Sequence, residues 1–146
     1  VRIFSVLAIA AAAVSIAPTT SAGKSGSVTA HITGLRNSDG QVLCALFKGP
    51  KGFPNAEHAT QGGTGKLAGG KATCRFSGLR SGRYAVAILQ DEDADREMDT
   101  VLGIPTEGFA FSNNAKPSLF GPPSFDEAAF QVAGDAKRIG VRMLYL

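Results

Sequence analysis

Tryptophan is absent, and cysteine, histidine, methionine and tyrosine occur only twice each in 146 residues. Two cysteines and two histidines are too few for a zinc site built from the usual ligand sets. Beyond the first residues no apolar run approaches the roughly 20 residues that span a bilayer, so we expect no membrane span in the mature chain. The formal charge is only +3, which does not by itself mark a nucleic-acid binder, and no basic stripe interleaved with aromatics suggests one. A Gly-x-Ser-x-Gly elbow and a Gly-rich phosphate loop are both missing, so nucleophilic hydrolysis and nucleotide chemistry lack their residues. His31 falls on a strand surface and His58 in a loop, so neither is placed as a catalytic base. We therefore expect no enzyme. Strand–helix alternation is also missing, which argues against a parallel sheet.

What is present begins with an address. Arg2 precedes an uncharged stretch, Ile3 to Ile16, followed by Pro18 and the small residues Thr20-Ser21-Ala22 before Gly23. This is the pattern of a secretory signal peptide over residues 1–22, leaving residues 23–146 as a single domain that is periplasmic or secreted. In an oxidising compartment two thiols pair if geometry allows. Cys44 alternates with Val42 and Leu46, and Cys74 with Ala72 and Phe76, so adjacent strands can bring them together as a disulfide.

The rest reads as strands of period two. Val28, Ala30 and Ile32 alternate with Thr29, His31 and Thr33. Asp39-Gly40 is a hairpin signal, and Gln41 to Lys48 follows, apolar on both faces. Gly49 to Gly70 is rich in glycine and reads as a long mobile loop, with room for one short strand, anchored by Phe53-Pro54. Strands follow at Lys71–Ser77, at Arg83–Gln90 (again apolar on both faces), at Ala128–Ala133 and at Ile139–Tyr145. Ser124 and Glu127 have capping-box spacing, which predicts one helical turn at Phe125–Ala128. The predicted fold is all-β: an antiparallel two-sheet Greek-key sandwich of 6–8 strands with at most a short helical turn.

The stretch Gly78-Leu79-Arg80-Ser81-Gly82-Arg83-Tyr84 resembles the Gly-Leu-x-x-Gly-x-Tyr signature of transthyretin-like and carboxypeptidase-regulatory-like sandwich domains. Three further segments follow in order: Asp91-Glu92-Asp93-Ala94-Asp95, Gly103 to Asn114, and Pro123 to Ala128. With them, Val28 to Leu146 resembles an exported bacterial family catalogued as domain of unknown function twenty-one forty-one. The resemblance implies a transthyretin-like (prealbumin-like) sandwich with no established activity. The same superfamily hosts a hydroxyisourate hydrolase family ending in Tyr-Arg-Gly-Ser, whereas this sequence closes on Met143-Leu144-Tyr145-Leu146.

Chemistry concentrates in Asp91–Asp99, where six carboxylates and one guanidinium give a net charge of −5. Such density repels itself unless a cation or a basic neighbour neutralises it. Asp91, Asp93, Asp95, the Glu97 carbonyl and Asp99 occupy positions one, three, five, seven and nine of an EF-hand-like calcium loop. Arg96 stands where that loop wants glycine and Leu102 where it wants glutamate, and Glu107 is placed to fold back as the missing carboxylate. The competing reading is a solvated acidic hairpin paired with Arg80, Arg83 or Arg96. The Phe- and Pro-rich segment from Gly103 to Phe125 reads as a loop that buries its rings against one end of the sandwich. Alternatively, Phe109 and Phe111 with Asn113 and Asn114 at the rim form a binding surface for a protein, peptide or glycan in the envelope.

Three functions follow: a non-catalytic binding or interaction module with a candidate calcium site in the acidic loop, a purely structural envelope protein with no ion site, and a small hydrolase using Asp99 and Glu107.

Overall fold

A computed structural model describes residues 23–146; the predicted signal peptide, residues 1–22, lies outside the described residues. The described residues form ten strands, β1 (Gly26–Thr33), β2 (Gln41–Phe47), β3 (Gln61–Ala68), β4 (Lys71–Leu79), β5 (Gly82–Asp91), β6 (Thr100–Val101), β7 (Ile104–Pro105), β8 (Gly108–Phe111), β9 (Phe130–Val132) and β10 (Ala136–Arg142), with one α-helical turn, α1 (Phe125–Ala128), and two short 3-10 turns, Ala56–His58 and Ser112–Asn114. The all-β class is as expected, but the pairing is not. In place of two antiparallel sheets, the strands follow one hydrogen-bonded path, β10-β1-β4-β3-β2-β5-β8, with β9 on β5 and a separate β6–β7 ribbon.

Two pairings overturn expectations. β10 runs parallel to β1, because the long crossover from β1 to the end of the chain leaves direction unconstrained. The Asp39-Gly40 turn joins strands that do not pair with each other: β1 pairs with β4, and β2 with β3 and β5. Gly40 is instead needed for close approach, since at φ +63° a Cβ there would sit 1.9 Å from the Asp91 carbonyl oxygen.

The Gly-rich stretch predicted as mostly loop contains an eight-residue strand, β3. Its first half, Gln61–Gly65, pairs with β2, and its second half, Lys66–Ala68, pairs with β4. β3 thus carries the path round a corner. Beyond β10, Leu144 exchanges backbone hydrogen bonds with Phe109 of β8 at 3.0 and 2.8 Å, so the two ends of the path meet and the sheet is nearly closed, like a barrel.

Alternation along the strands fills the interior. Val28, Ala30 and Ile32 of β1 and Ala72, Cys74 and Phe76 of β4 meet Val42, Cys44 and Leu46 of β2 and Val86 and Ile88 of β5. The Cys44–Cys74 disulfide crosses this core, as predicted. Gly65 lies beside it, and a Cβ there would meet Cys74 Sγ at 3.0 Å and Val42 at 3.3 Å. The Gly78–Gly82 turn passes from β4 to β5, which do not pair with each other, and Tyr84, buried, donates its hydroxyl to the Arg80 carbonyl at 2.8 Å. This is the tyrosine-corner arrangement.

β2 and β5 read as apolar on both faces for a physical reason. One face lines the core. The other is covered at one end by a second cluster of Phe47, Ala85, Phe109, Phe111, Phe125 and Ala128, against which Phe53 packs. Phe53 sets its ring edge-on to Phe47, Phe111 and Phe125 at 5.1 to 6.0 Å, so it is the anchor the sequence suggested. The capping box forms as predicted, Ser124 Oγ accepting from Glu127 N and the Glu127 carboxylate accepting from Ser124 N. Among the described residues no helix is long and apolar enough to cross a membrane.

Candidate functional site

The acidic loop leaves the end of β5, where Asp91 is fully buried. Burial opposes ionisation of its carboxyl. Hydrogen bonds from the Gln41 side-chain amide and from the backbone N–H groups of Arg96 and Asp95 outweigh burial and hold it below the usual carboxylate range. Asp93 accepts the Asp95 amide, and Asp95 accepts the Glu97 amide at 2.7 Å. To take this path the backbone turns left-handed at Ala94 (φ 62°) and Arg96 (φ 69°). Arg96 therefore adopts the conformation for which an EF-hand loop uses glycine, at a cost of order 1–2 kcal/mol.

Glu107, buried, folds back onto the loop as predicted. Its Oε1 accepts from Glu92 N at 2.7 Å and its Oε2 from Asp99 N at 3.2 Å. Two carboxylate groupings result, Asp91/Asp93/Asp95 and Asp93/Asp99/Glu107, each with oxygens within 4.8 Å of one another. The Asp93 carboxyl takes the Asp95 amide, which favours its charged form. Partial desolvation and the charges of Asp95 and Asp99 prevail and push it above the usual range. Glu97 joins neither grouping.

Asp93, Asp99 and Glu107 line a polar cleft of about 710 Å³ together with Arg36 and Asp39. The basic neighbour of the loop is Arg36, whose guanidinium contacts the Glu92 carboxylate at 2.7 Å and lies over the Tyr145 ring at 4.8 Å. The partners named from sequence are placed elsewhere: Arg83 pairs with Asp126, and Arg96 and Arg80 form no ion pair among the described residues. Proximity in sequence favoured them, but the β1–β2 connection, 56 residues away, delivers Arg36.

The aromatic candidates divide. Phe109 and Phe111 are buried in the second cluster, with Phe125, while Phe120 is 99% exposed. The Asn113 amide donates to the Glu127 and Ala129 carbonyls, and Asn114 Oδ1 accepts from Arg142 N at 2.8 Å. These two side chains tie the segment around α1, and β10, to the turn Ser112–Asn114 that follows β8.

Next to the buried rings, the uncovered part of the β2–β5 outer face opens into a groove of about 1080 Å³. Leu43, Ala45, Ala87 and Leu89 contribute to its floor. Met98, Ile104 and Pro105 come from the acidic loop and the β6–β7 ribbon, and Leu119 comes from the loop before α1. Among the described residues the exposed large hydrophobics are Met98, Val101, Leu102, Ile104, Leu119, Phe120 and Leu146. Four of these, Met98, Ile104, Leu119 and Leu146, line the groove, and Leu102 and Phe120 are direct chain neighbours of lining residues. Phe109 and Phe111, named from sequence as a binding surface, line this groove with Pro117 and Pro122 of the same segment, whereas the part played by the outer face of β2 and β5 was not anticipated. Its signal was the apolar character of β2 and β5 on both faces, which marks a second surface to cover as well as a central strand.

Residues 30–140 match the family described as "Uncharacterized protein conserved in bacteria (DUF2141)". No curated protein matches the chain, and no solved structure matches it.

Proposed function

The chain belongs to this uncharacterised bacterial family, and from that premise we propose that it is an exported, non-catalytic binding module that holds an apolar segment of a partner protein in the groove over β2 and β5. The observation that carries the reading is the coincidence of the groove with the exposed large hydrophobics. An exposed apolar surface collected in one concavity is characteristic of an interaction site. The non-catalytic part is supported by the commitment of both thiols to the disulfide. Export is supported by the same bond, which persists in oxidising compartments. Affiliation with the transthyretin-like superfamily is likewise our reading; the corner made by Gly78, Gly82 and Tyr84 supports it.

An array of random decapeptides probed with the purified chain tests the groove. Apolar peptides should be retained, and Ile104→Asp with Leu119→Asp should abolish retention without lowering the melting temperature. Retention that is indifferent to the double substitution would reject the groove.

A second reading concerns calcium at the acidic loop, and the two carboxylate groupings favour it. The donor set fits: Asp91 Oδ1 and both Glu107 oxygens each accept one amide and keep a lone pair for a cation. Because Met98 and Ile104 follow the loop into the groove wall, calcium would brace that wall. At about 100 times Kd an ion adds roughly 2.7 kcal/mol of stability. A thermal melt in chelator, then in millimolar calcium or magnesium, decides between this site and a structural envelope protein with no ion site. A rise with calcium that Asp93→Ala and Asp99→Ala remove supports the site, and an unchanged melt rejects it.

A further inference from the structure

The register of the sheet assembles a second surface, independent of the groove. In β1 the side chains of Thr29, His31 and Thr33 face away from the core, since Val28, Ala30 and Ile32 are buried. Strand pairing fixes their neighbours. Thr29 lies between Arg138 of β10 and Arg75 of β4, His31 between Gly140 and Thr73, and Thr33 beside Arg142. Lys66 of β3 is next to Thr73, and Lys71 pairs with Ala68. Five permanent cations, Lys66, Lys71, Arg75, Arg138 and Arg142, thus share one outer face, all exposed. With strands about 4.8 Å apart, Arg75 and Arg138 stand roughly 10 Å from each other across Thr29.

None of the five forms a salt bridge among the described residues, where the ion pairs are Arg36–Glu92 and Arg83–Asp126. No carboxylate occurs in β1, β3, β4 or β10. Six of the chain's twelve acids fall in the Asp91–Asp99 loop, which leaves an excess of positive charge elsewhere, and the register of these strands places five of its cations on one face. Like charges held together on a sheet repel, and an anionic partner removes that repulsion.

The chemistry between the cations selects the partner. Threonine, serine, glycine and alanine fill the other outward positions of these strands around His31. No aromatic ring is there to stack a base, as single-stranded nucleic acid requires, and no large apolar anchor is there to form the centre of a protein interface. What remains is a broad face offering guanidinium forks, ammonium groups and hydroxyls, which suits a surface of closely spaced phosphates. We propose that the outer face of β10-β1-β4-β3 docks the protein electrostatically on a bilayer surface rich in anionic lipid.

Sedimentation of the full chain with vesicles tests this. The probes are phosphatidylcholine vesicles with and without one third phosphatidylglycerol, the neutral vesicles reporting any apolar contribution from the rest of the chain. Binding to the anionic vesicles should exceed binding to the neutral ones at 0.1 M salt and fall toward the neutral level at 1 M, where the Debye length shrinks from about 10 to about 3 Å. Arg75→Glu with Arg138→Glu should lower the partition coefficient at least about tenfold, and Arg75→Gln with Arg138→Gln should lower it less. The charge-matched pair Lys48→Glu and Lys51→Glu, outside these strands, should leave most of the binding intact. Equal binding to both vesicle types, or an equal loss in the Lys48/Lys51 pair, would overturn the proposal. So would binding of a DNA duplex or of polyglutamate as tight as that of the anionic vesicles.

Discussion

The buried carboxylate of Glu107 accepts the backbone N–H of Glu92 at 2.7 Å, fifteen residues away in sequence. Its other oxygen takes the N–H of Asp99, so one side chain clasps both ends of the acidic loop. A carboxylate among carboxylates is counter-intuitive until the donors are identified. They are backbone amides, each donating to one of its two oxygens. Glu107→Ala should leave two amides short of a partner and lower the unfolding free energy by about 2 kcal/mol or more. Glu107→Gln, which keeps one acceptor, should cost about half of that. Urea midpoints with unchanged slope would report it.

Asp91 predicts an acid limb. Its pKa is depressed in the folded state, so the native protein binds fewer protons than the unfolded chain between the two values. The contribution is therefore full above the ordinary carboxylate range and is lost as pH falls through the folded value. Asp91→Asn should be less stable than the parent by about 1–2 kcal/mol at neutral pH. The gap should narrow once pH drops below about 4. Paired denaturation curves from pH 7 to pH 2.5 would show it.

Asp93 has the opposite sign. Its carboxyl is pushed upward, so the folded state prefers it protonated, and its charge opposes folding once pH rises through that value. In chelator at neutral pH, Asp93→Asn should melt slightly higher than the parent. That advantage should vanish in acid. A lower melt in chelator would show that its bond to the Asp95 amide outweighs the repulsion.

The disulfide joins residues separated by 30 positions, a loop for which chain entropy gives a stabilisation of about 3 to 4 kcal/mol. Cys44→Ala with Cys74→Ala should show a loss of that order in denaturant. Adding reductant should have no effect on the variant and should lower the parent toward it.

Two glycines separate backbone conformation from close approach. Gly69 has φ +58° with open space around it, whereas Gly40 has φ +63° and backbone atoms of Asp91 and Glu92 inside the Cβ envelope. Gly69→Ala should cost about 1 kcal/mol. Gly40→Ala should cost at least about 2 kcal/mol more, because the clash is with backbone that anchors the acidic loop. Equal melting shifts would contradict the approach seen here.

Local signals were read correctly where one segment contains all the partners. The capping box at Ser124 and Glu127 closes within four residues. The strand character of β1 and β4 follows from period two, and that of β2 and β5 from short apolar runs bounded by turn residues. The disulfide was legible because both cysteines lie on buried faces. β3 was largely hidden, since Gly62, Gly63 and Gly65 have poor β propensity. It forms because β2 and β4 each present a backbone edge to it, and Gly65 is the residue that fits beside the sulfur bridge.

From composition and spacing alone, the chain specified an all-β domain, the paired cysteines, the helical turn and a self-repelling acidic segment to which Glu107 returns. Tertiary structure decided which strands are neighbours: β10 parallel to β1, Arg36 beside Glu92, the groove above β2 and β5, and the cations gathered on one face. The reason is that side-chain periodicity says which way a residue faces along its own strand. Who stands opposite is set by long-range pairing, which local sequence does not encode.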